Sequence, residues 1–249
     1  MNGSRTQSNV RSHISPDVNA AADACARHIA ALLEQALAER RSATLAISGG
    51  AGPRPMFERL AAIPLVWRNV HIFWVDERAV PPADERSNYK LAEESLIRPA
   101  RIPGENVHRI RGEMKAEAAA LAYAGDIRAF FKLDDNQLPV FDVVHLGLGE
   151  NAHTASLFPG DPLIDDRSGI AAAAHVDAEP PWRVTLLPGV LLAARHIAFH
   201  VTGAGKAEAV RAVFREPFDP NKYPAQLAHR GHDTVWFMDA AAARLLSAE

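Results

Sequence analysis

Short apolar runs alternate along the chain with stretches in which apolar residues recur every three or four positions. The runs predict buried strands at 44–48, 70–76, 142–148, 197–202 and 234–238. The periodic stretches predict helices at 53–62, 88–97, 115–132, 206–214 and 240–246, and a short helix after the loop that follows 142–148. Strands separated by helices predict an α/β fold, with one mostly parallel sheet covered by helices on both faces.

The first part of the chain is polar and lacks either periodicity. Residues 1–14 are predicted to be an unstructured lead-in, and residues 15–249 to form a single domain. Ser15 and Pro16 predict a helix start, because serine caps helices and proline suits the first helical position. The helix is predicted to end near Arg41, with Cys25 on its apolar face as a small core residue.

Composition narrows the function classes. The 249 residues are 48% hydrophobic and carry a net charge of −3, so nothing attracts the chain to nucleic acid or anionic lipid in general. No run approaches the ~18 apolar residues of a membrane span, no secretory signal is evident, and the cytoplasm is the expected compartment. With one cysteine, Cys25, the chain forms no intrachain disulfide and no cysteine-based zinc cluster. Because the chain has no net positive charge, a phosphate-bearing ligand needs a local basic site.

Ligands of such sheets bind beyond the carboxyl ends of the strands, and three segments lie there. In the first, Ser48, Gly49 and Gly50 follow a strand and precede Pro53. Glycines let backbone N–H groups approach an anion, and the helix N-terminus adds a favourable dipole. The segment matches neither the P-loop nor the GxGxxG pattern, and a simple tight turn is the alternative.

The second segment places three charges, Asp76, Glu77 and Arg78, at the end of an apolar strand. Arg78 could hold a phosphate or carboxylate with its planar fork. The alternative is a solvated turn in which Asp76 and Arg78 pair with each other.

The third segment presents Glu150, Asn151 and His153 after a glycine-rich strand end. Histidine is the side chain whose ordinary pKa suits proton transfer near neutrality. A lone loop histidine is nevertheless more often structural than catalytic. His145, inside the strand, is predicted to be packed and is not a candidate.

Together and in this order, the three segments resemble the 6-phosphogluconolactonase family. Its marks are SGGSTP after a strand, VDER followed by SN, and GxGxDGHTASLFPG. The corresponding letters here are SGGAGP at 48–53, VDER at 75–78 with SN at 87–88, and GLGENAHTASLFPG at 147–160. Further matches are RVTL at 183–186, VTG at 201–203 with Lys206, PA at 224–225, Trp236 and Asp239, so the resemblance runs from about residue 20 to the C-terminus. The letters after His153 distinguish this family from the related glucosamine-phosphate isomerases.

The resemblance implies a doubly wound, Rossmann-like α/β domain that hydrolyses 6-phosphoglucono-1,5-lactone to 6-phosphogluconate in the oxidative pentose phosphate pathway. It implies no metal and no organic cofactor. The partner is a small phosphorylated sugar lactone, without nucleic acid or membrane, and the protein is expected as a monomer or small homo-oligomer. The implied site residues are His153 as general base beside Asn151 and Glu150, the cations Arg78, Arg183 and Lys206, and the sugar-phosphate loop Ser48, Gly49 and Gly50.

Two departures from the family pattern keep alternatives open. Asn151 and Ala152 stand where the family has aspartate and glycine, and Ala51 and Gly52 stand where it has serine and threonine. In the Ser-His-Asp triad, a comparable Asp-to-Asn change costs about ten-thousandfold in rate through the wrong histidine tautomer. The alternatives are a catalytically weakened or inactive sugar-phosphate-binding homologue and, less favoured, an amino-sugar-phosphate isomerase. Glu150 or Glu77 are candidates to supply the missing negative charge.

Overall fold

Ten strands form a seven-stranded and a three-stranded sheet in the computed structural model, which describes residues 9–50, 52–230 and 233–246. The strands are β1 (Asn9–Ser15), β2 (Ala43–Ile47), β3 (Val70–Trp74), β4 (Asp76–Arg78), β5 (Val107–His108), β6 (Val143–Leu146), β7 (Ala171–His175), β8 (Trp182–Leu186), β9 (His196–Val201) and β10 (Asp233–Asp239). The helices are α1 (Val18–Arg40), α2 (Arg54–Ala62), α3 (Asn88–Ala92), α4 (Arg98–Ala100), α5 (Ala116–Phe131), α6 (Pro188–Ala193), α7 (Ala207–Arg215), α8 (Ala225–His229) and α9 (Ala240–Ala243). A π-helical segment, Glu93–Ile97, joins α3 to α4.

The large sheet has the strand order β1-β10-β9-β6-β2-β3-β5, and all its pairs are parallel. The chain passes from β2 outward to β3 and β5, then returns to the other side of β2 to form β6, β9 and β10. Every residue of β2 and β6 is buried, so both faces of the sheet are covered. The predicted doubly wound α/β domain is confirmed, with its switch point between β2 and β6, where ligands of such folds bind.

The N-terminal prediction is wrong for residues 9–14. They belong to β1, which pairs in parallel with β10 at the edge of the sheet. Residues 1–8 lie outside the described residues. Ser15 ends this strand instead of capping a helix, and Asp17 caps α1 by accepting a hydrogen bond from the Ala20 amide at 2.9 Å. Pairing with a distant strand overrides the polar local sequence here.

Helix α1 otherwise follows the predicted stripe. Its buried residues recur at three- and four-residue steps and include Cys25, which is fully buried as predicted. No helix among the described residues is both long and apolar enough to cross a bilayer.

A short helix does follow the loop after residues 142–148, as the 3-10 helix Pro162–Asp165, but the stretch directly around His153 is not helical. Ala152 and Ala155 have positive φ angles of 62° and 49°, which no right-handed helix accommodates. Thr154 and Leu157 instead form an isolated antiparallel bridge. The segment is therefore a sequence of tight turns.

The three-stranded sheet, in the antiparallel order β4-β8-β7, is not foreseen by the periodicity. Its register places Asp76 opposite Thr185 and Arg78 opposite Arg183. The Leu186 amide donates to the carbonyl of Val75 at 2.7 Å, which fastens this sheet to the end of β3. Arg183, more than a hundred positions away in the chain, is thereby brought beside Arg78.

Asp142 fastens β6 to β2 at the end of the sheet opposite the switch-point opening. Its carboxylate accepts hydrogen bonds from the Thr44 amide and hydroxyl at 2.9 and 3.1 Å, and from Arg40 at 2.8 Å. The Asp142 amide donates to the Thr44 hydroxyl at 2.9 Å. These bonds satisfy buried polar groups that no strand partner serves.

We expect Asp142→Ala to lower the free energy of unfolding by about 2–3 kcal/mol, because it leaves the buried Thr44 amide and hydroxyl proton without their acceptor. Urea denaturation measures the change. Asp23→Ala is the control, since Asp23 pairs with Arg27 on the exposed face of α1 and surface pairs contribute little. Equal stability of the two variants would contradict the role given to Asp142.

Candidate active site

A cavity of about 770 Å³ opens at the carboxyl ends of β2, β6 and β9. Every site residue predicted from the sequence lines it: Ser48, Gly49, Gly50, Arg78, Glu150, Asn151, His153, Arg183 and Lys206. The structure thus brings the nine residues together, while the chemical role of each stays a prediction.

His153 lies in a tight turn that closes on itself directly after β6. The Gly149 amide donates to the His153 carbonyl at 2.8 Å, and the Ala152 amide donates to the Gly149 carbonyl at 3.0 Å. The buried hydroxyl of Thr154 donates to the Gly147 carbonyl at 2.9 Å. The turn holds its shape through main-chain bonds, so the imidazole projects from a fixed base.

Asn151 fixes the tautomer of His153. Its Oδ1 atom lies 2.6 Å from Nδ1 of the imidazole and 3.2 Å from the backbone nitrogen of His153. A backbone N–H only donates, so the shared atom is the carbonyl oxygen of the amide, and an oxygen of this kind only accepts. Nδ1 therefore carries the proton, and the lone pair is on Nε2, which has no hydrogen-bond partner among the described residues.

Two contacts hold the plane of the imidazole. The ring stacks on Phe158 with centroids 4.1 Å apart and planes inclined by 20°. It also packs so closely on Gly149 that a Cβ atom there would lie 2.0 Å from Nδ1. Glycine is the one residue that fits at this position.

The imidazole is neutral at physiological pH. Burial is the main cause that lowers the pKa of His153 from 6.5 to about 4. The positive charges of Lys206, Arg183 and Arg78 lower it further, in that order. A neutral imidazole with a free Nε2 is a proton acceptor.

Arg78 and Arg183 face each other across the β4–β8 ladder. Like charges directly opposite in a sheet repel. Both Nε atoms are buried and make no hydrogen bond within the described residues, although Arg78 Nη1 donates to the Arg86 carbonyl. Burial, followed by the charge of Arg78, lowers the pKa of Arg183. Two such guanidinium groups form a site suited to an anion.

Lys206 reaches the cavity from the loop after β9. The loop turns at Gly203, whose φ is 96°, and the Gly203 amide donates to Asp239 at 3.0 Å. Glu150 lies against this loop, since a Cβ atom on Gly205 would be 3.1 Å from its Oε1. Glu150 is exposed and makes no hydrogen bond to His153 among the residues the structure describes.

The loop after β2 has the open backbone expected of an anion site. Gly49 has no room for a side chain, because a Cβ atom would lie 2.1 Å from Asn88, and Gly50 has a φ of 94°. Neither glycine amide donates a hydrogen bond within the described ranges, whereas the Ser48 amide donates to His145 Nδ1 at 3.4 Å. Ala51, one of the departures from the family pattern, lies outside the described residues.

Sequence reasoning missed the role of Asp76 as a link in the site. Its buried carboxylate accepts a hydrogen bond from the Ser156 hydroxyl at 2.9 Å, and the Ser156 amide donates to the Thr185 hydroxyl at 3.1 Å. Burial raises the pKa of Asp76, while Arg78, Ser156 and Arg183 oppose that rise. Ser156 thus joins the His153 turn to the sheet that carries both arginines. The signal in the sequence was the charge at the end of an apolar run.

Glu77 is not available to supply the charge that Asn151 lacks. Its carboxylate accepts hydrogen bonds at 2.7–3.0 Å from four groups at the start of α3 and in β4: the amides of Arg78, Asn88 and Tyr89, and the Ser87 hydroxyl. These bonds anchor the chain that follows β4. Glu77 is a structural residue.

His145 also lines the cavity, together with His200 of β9. Both rings are buried, and burial lowers the pKa of His145 to about 3 and that of His200 to about 4. The Ser48 bond makes Nδ1 of His145 an acceptor, so the proton is on Nε2, which has no partner among the described atoms. No cluster of three or more metal-binding side chains occurs in the part of the chain that the structure describes.

Comparison with known proteins places the chain among sugar-phosphate enzymes. The model of the glucosamine-6-phosphate isomerase/6-phosphogluconolactonase family matches residues 16–236. A 6-phosphogluconolactonase of Synechocystis is 34% identical over 211 residues, covering 84% of this chain and 87% of its own. The crystal structure of 6-phosphogluconolactonase from Thermotoga maritima has a TM-score of 0.80 at 27% identity, covering 92% and 99% of the two chains. The three-dimensional structure of 6-phosphogluconolactonase from Trypanosoma brucei has a TM-score of 0.85 at 26% identity, covering 97% and 100% of the two chains.

We expect Gly149→Ala to displace the His153 ring. The 2.0 Å contact has to open to roughly the 3.5–4 Å of ordinary nonbonded contact, a shift of about 1.5 Å or more that breaks the bond to Asn151. Gly147→Ala is the matched control, because its methyl group meets nothing within 4 Å. Crystal structures of both variants check this. An unmoved ring in Gly149→Ala would show that the turn yields instead.

Proposed function

This chain belongs to the glucosamine-6-phosphate isomerase/6-phosphogluconolactonase family, and we propose that it hydrolyses 6-phosphoglucono-1,5-lactone to 6-phosphogluconate with His153 as the general base. The reaction is a step of the oxidative pentose phosphate pathway. The observation that carries the proposed role is a neutral imidazole whose Nδ1 is held by Asn151 and whose Nε2 is free, in a cavity lined by three cationic side chains.

The chemistry needs one base and no covalent nucleophile, because a lactone carbonyl is already electrophilic. His153 Nε2 takes a proton from water as the oxygen attacks the carbonyl carbon, which gives a tetrahedral oxyanion and an imidazolium. The intermediate collapses, the bond from this carbon to the ring oxygen breaks, and the imidazolium returns its proton to that oxygen. The product is the open-chain acid, which loses a proton to solvent. A positioned base of this kind contributes about 10²–10⁴-fold to the rate.

The cations hold the substrate and its developing charge. Arg78 and Arg183, with their facing guanidinium groups, suit the phosphate, assisted by the glycine amides of the loop after β2. Lys206 is the cation with the largest effect on His153, which suits it to the oxyanion beside the base. A phosphate anchored at one end fixes the carbonyl against Nε2 at the other.

Two features favour hydrolysis over the alternatives. The relatives at 34% identity are lactonases, which argues against an amino-sugar-phosphate isomerase. The tautomer held by Asn151 leaves the base competent, which argues against an inactive binding homologue. A cytoplasmic location and a monomer or small homo-oligomer stay predictions of the sequence, and the plant relatives are chloroplastic.

We expect His153→Ala to lower kcat by about 10²–10⁴-fold, because the attacking water loses its base. The assay follows lactone generated immediately beforehand, with the spontaneous rate subtracted. His196→Ala is the control, since His196 pairs with Asp233 at the opposite end of the sheet. If wild type and His153→Ala hydrolyse the lactone equally fast, His153 is not the base.

We also expect Asn151→Ala to lose roughly a hundredfold in kcat, because the ring no longer has a fixed tautomer and position. Asn151→Asp retains the bond to Nδ1 and should keep activity at least equal to wild type. The same assay measures both variants. Loss of activity in Asn151→Asp to the level of Asn151→Ala would mean that the amide itself, and not its oxygen, is required.

A further inference from the structure

His153 is a base without a carboxylate partner. Its Nδ1 is bonded to the neutral amide of Asn151 at 2.6 Å. The buried carboxylate of Asp76 is bonded to Ser156, and Glu150 makes no hydrogen bond to the imidazole in the described part of the chain. An imidazolium that forms during the reaction therefore receives no negative charge by direct contact with the residues that the structure describes.

The charges that face the cavity are mainly positive. They come from four parts of the fold: Asp76 and Arg78 of β4, Arg183 of β8, Lys206 before α7, and Glu150 of the His153 turn itself. The other titratable groups of the cavity, His145 and His200, are neutral because burial lowers the pKa of each to about 3 and 4. All three cations act in one direction on His153, since each of them lowers its pKa.

This inference rests on the function proposed above. We propose that a phosphate bound at the facing Arg78 and Arg183 raises the proton affinity of His153, so that a phosphorylated lactone strengthens its own general base. Both arginines that attract the phosphate also disfavour a proton on the imidazole. A dianion paired with the two arginines, whose Nε atoms are buried, cancels their effect on the imidazole.

The coupling has a thermodynamic counterpart. If a bound anion raises the proton affinity of His153, protonation of His153 tightens anion binding by the same factor. An opposite charge within about 4–6 Å shifts a pKa by roughly 1–3 units, and a phosphate held at the arginines, beyond the reacting carbonyl, lies farther from the ring and shifts it less. The substrate phosphate thereby takes over the electrostatic task of an aspartate next to the base, and the lactone is selected through the rate of the chemical step as well as through affinity.

The test is an NMR titration of the His153 imidazole with and without sulfate, a tetrahedral dianion that does not itself titrate in this range. The His153 signal is assigned by its absence from His153→Ala. Without sulfate we expect a pKa of about 4, with the base form present above it. Saturating sulfate should raise that pKa by up to about one unit.

Charge variants make the test specific. Arg183→Gln should raise the pKa of His153 in the free protein and reduce the shift caused by sulfate, because one of the opposing cations is gone. Arg68→Gln removes an exposed arginine just before β3, away from the cavity, and should change neither quantity. Asn151→Asp should also raise the pKa without sulfate and reduce the sulfate shift, because the protein then supplies the charge.

A kinetic measurement connects the coupling to turnover. Glucono-1,5-lactone, which lacks the phosphate, should show a kcat about three- to tenfold below that of the phosphorylated lactone, and sulfate should restore part of it. In Asn151→Asp the difference in kcat between the two lactones should shrink. A difference confined to KM would mean that the phosphate acts as an anchor only.

The outcomes separate this proposal from the proposed function. Sulfate binding that leaves the His153 titration unchanged overturns the coupling, even if the protein hydrolyses the lactone. A shifted titration in a protein without turnover supports the coupling and overturns the proposed function. If neither sulfate nor 6-phosphogluconate binds, the anion site is absent and the coupling is wrong.

Discussion

The separation of β2 from β6 is the constraint on which the site depends. Their ladder is limited to the pairs Leu45↔Val143 and Ala46↔Val144, and beyond it the strands diverge. Both strands are buried on both faces, so an unpaired backbone group there is costly. The Ser48 amide is served by the side chain of His145 instead of a strand carbonyl. The buried, neutral His145 therefore satisfies the backbone amide that is left without a strand partner where β2 and β6 diverge.

A second set of hydrogen bonds positions Arg78 and Arg183 at this opening. Ser156 donates to Asp76 through its hydroxyl and to the Thr185 hydroxyl through its amide, and Asp76 and Thr185 are cross-strand partners. The same ladder places Arg78 opposite Arg183. Repulsion between the two guanidinium groups is tolerated because burial of the surrounding side chains and the Asp76 carboxylate hold the sheet together. We propose that this unfavourable pair gives the cavity its affinity for anions.

Sequence patterns predicted the parts of this arrangement that local physics determines. A buried strand needs a run of apolar residues wherever it pairs, and the five apolar runs are strands of the large sheet. His153 and its neighbours follow one of these strands. The sequence patterns did not predict β7, whose sequence is AAAAH, since alanine has no preference for strands. The register of β8 on β4 joins segments far apart in the chain, so only the family resemblance assigned Arg183 to the site. The polar strand β1 was missed because its stability comes from pairing with β10.

The turn around His153 shows how the departures from the family pattern fit together. Ala152 has a φ of 62°, a conformation that costs an alanine roughly 1–2 kcal/mol relative to glycine. Its methyl group is buried in the hydrophobic core, and its carbonyl accepts a hydrogen bond from the Ala225 amide at 3.0 Å. Packing of the Ala152 methyl group thus offsets the backbone strain, and the bond from Ala225 ties the turn to α8. Asn151 then needs only to orient the imidazole, which its oxygen does through two N–H groups of the same residue. Asn151 keeps the orientation of the imidazole but lacks the charge of the family's aspartate, and we propose that a bound anion supplies that negative charge instead.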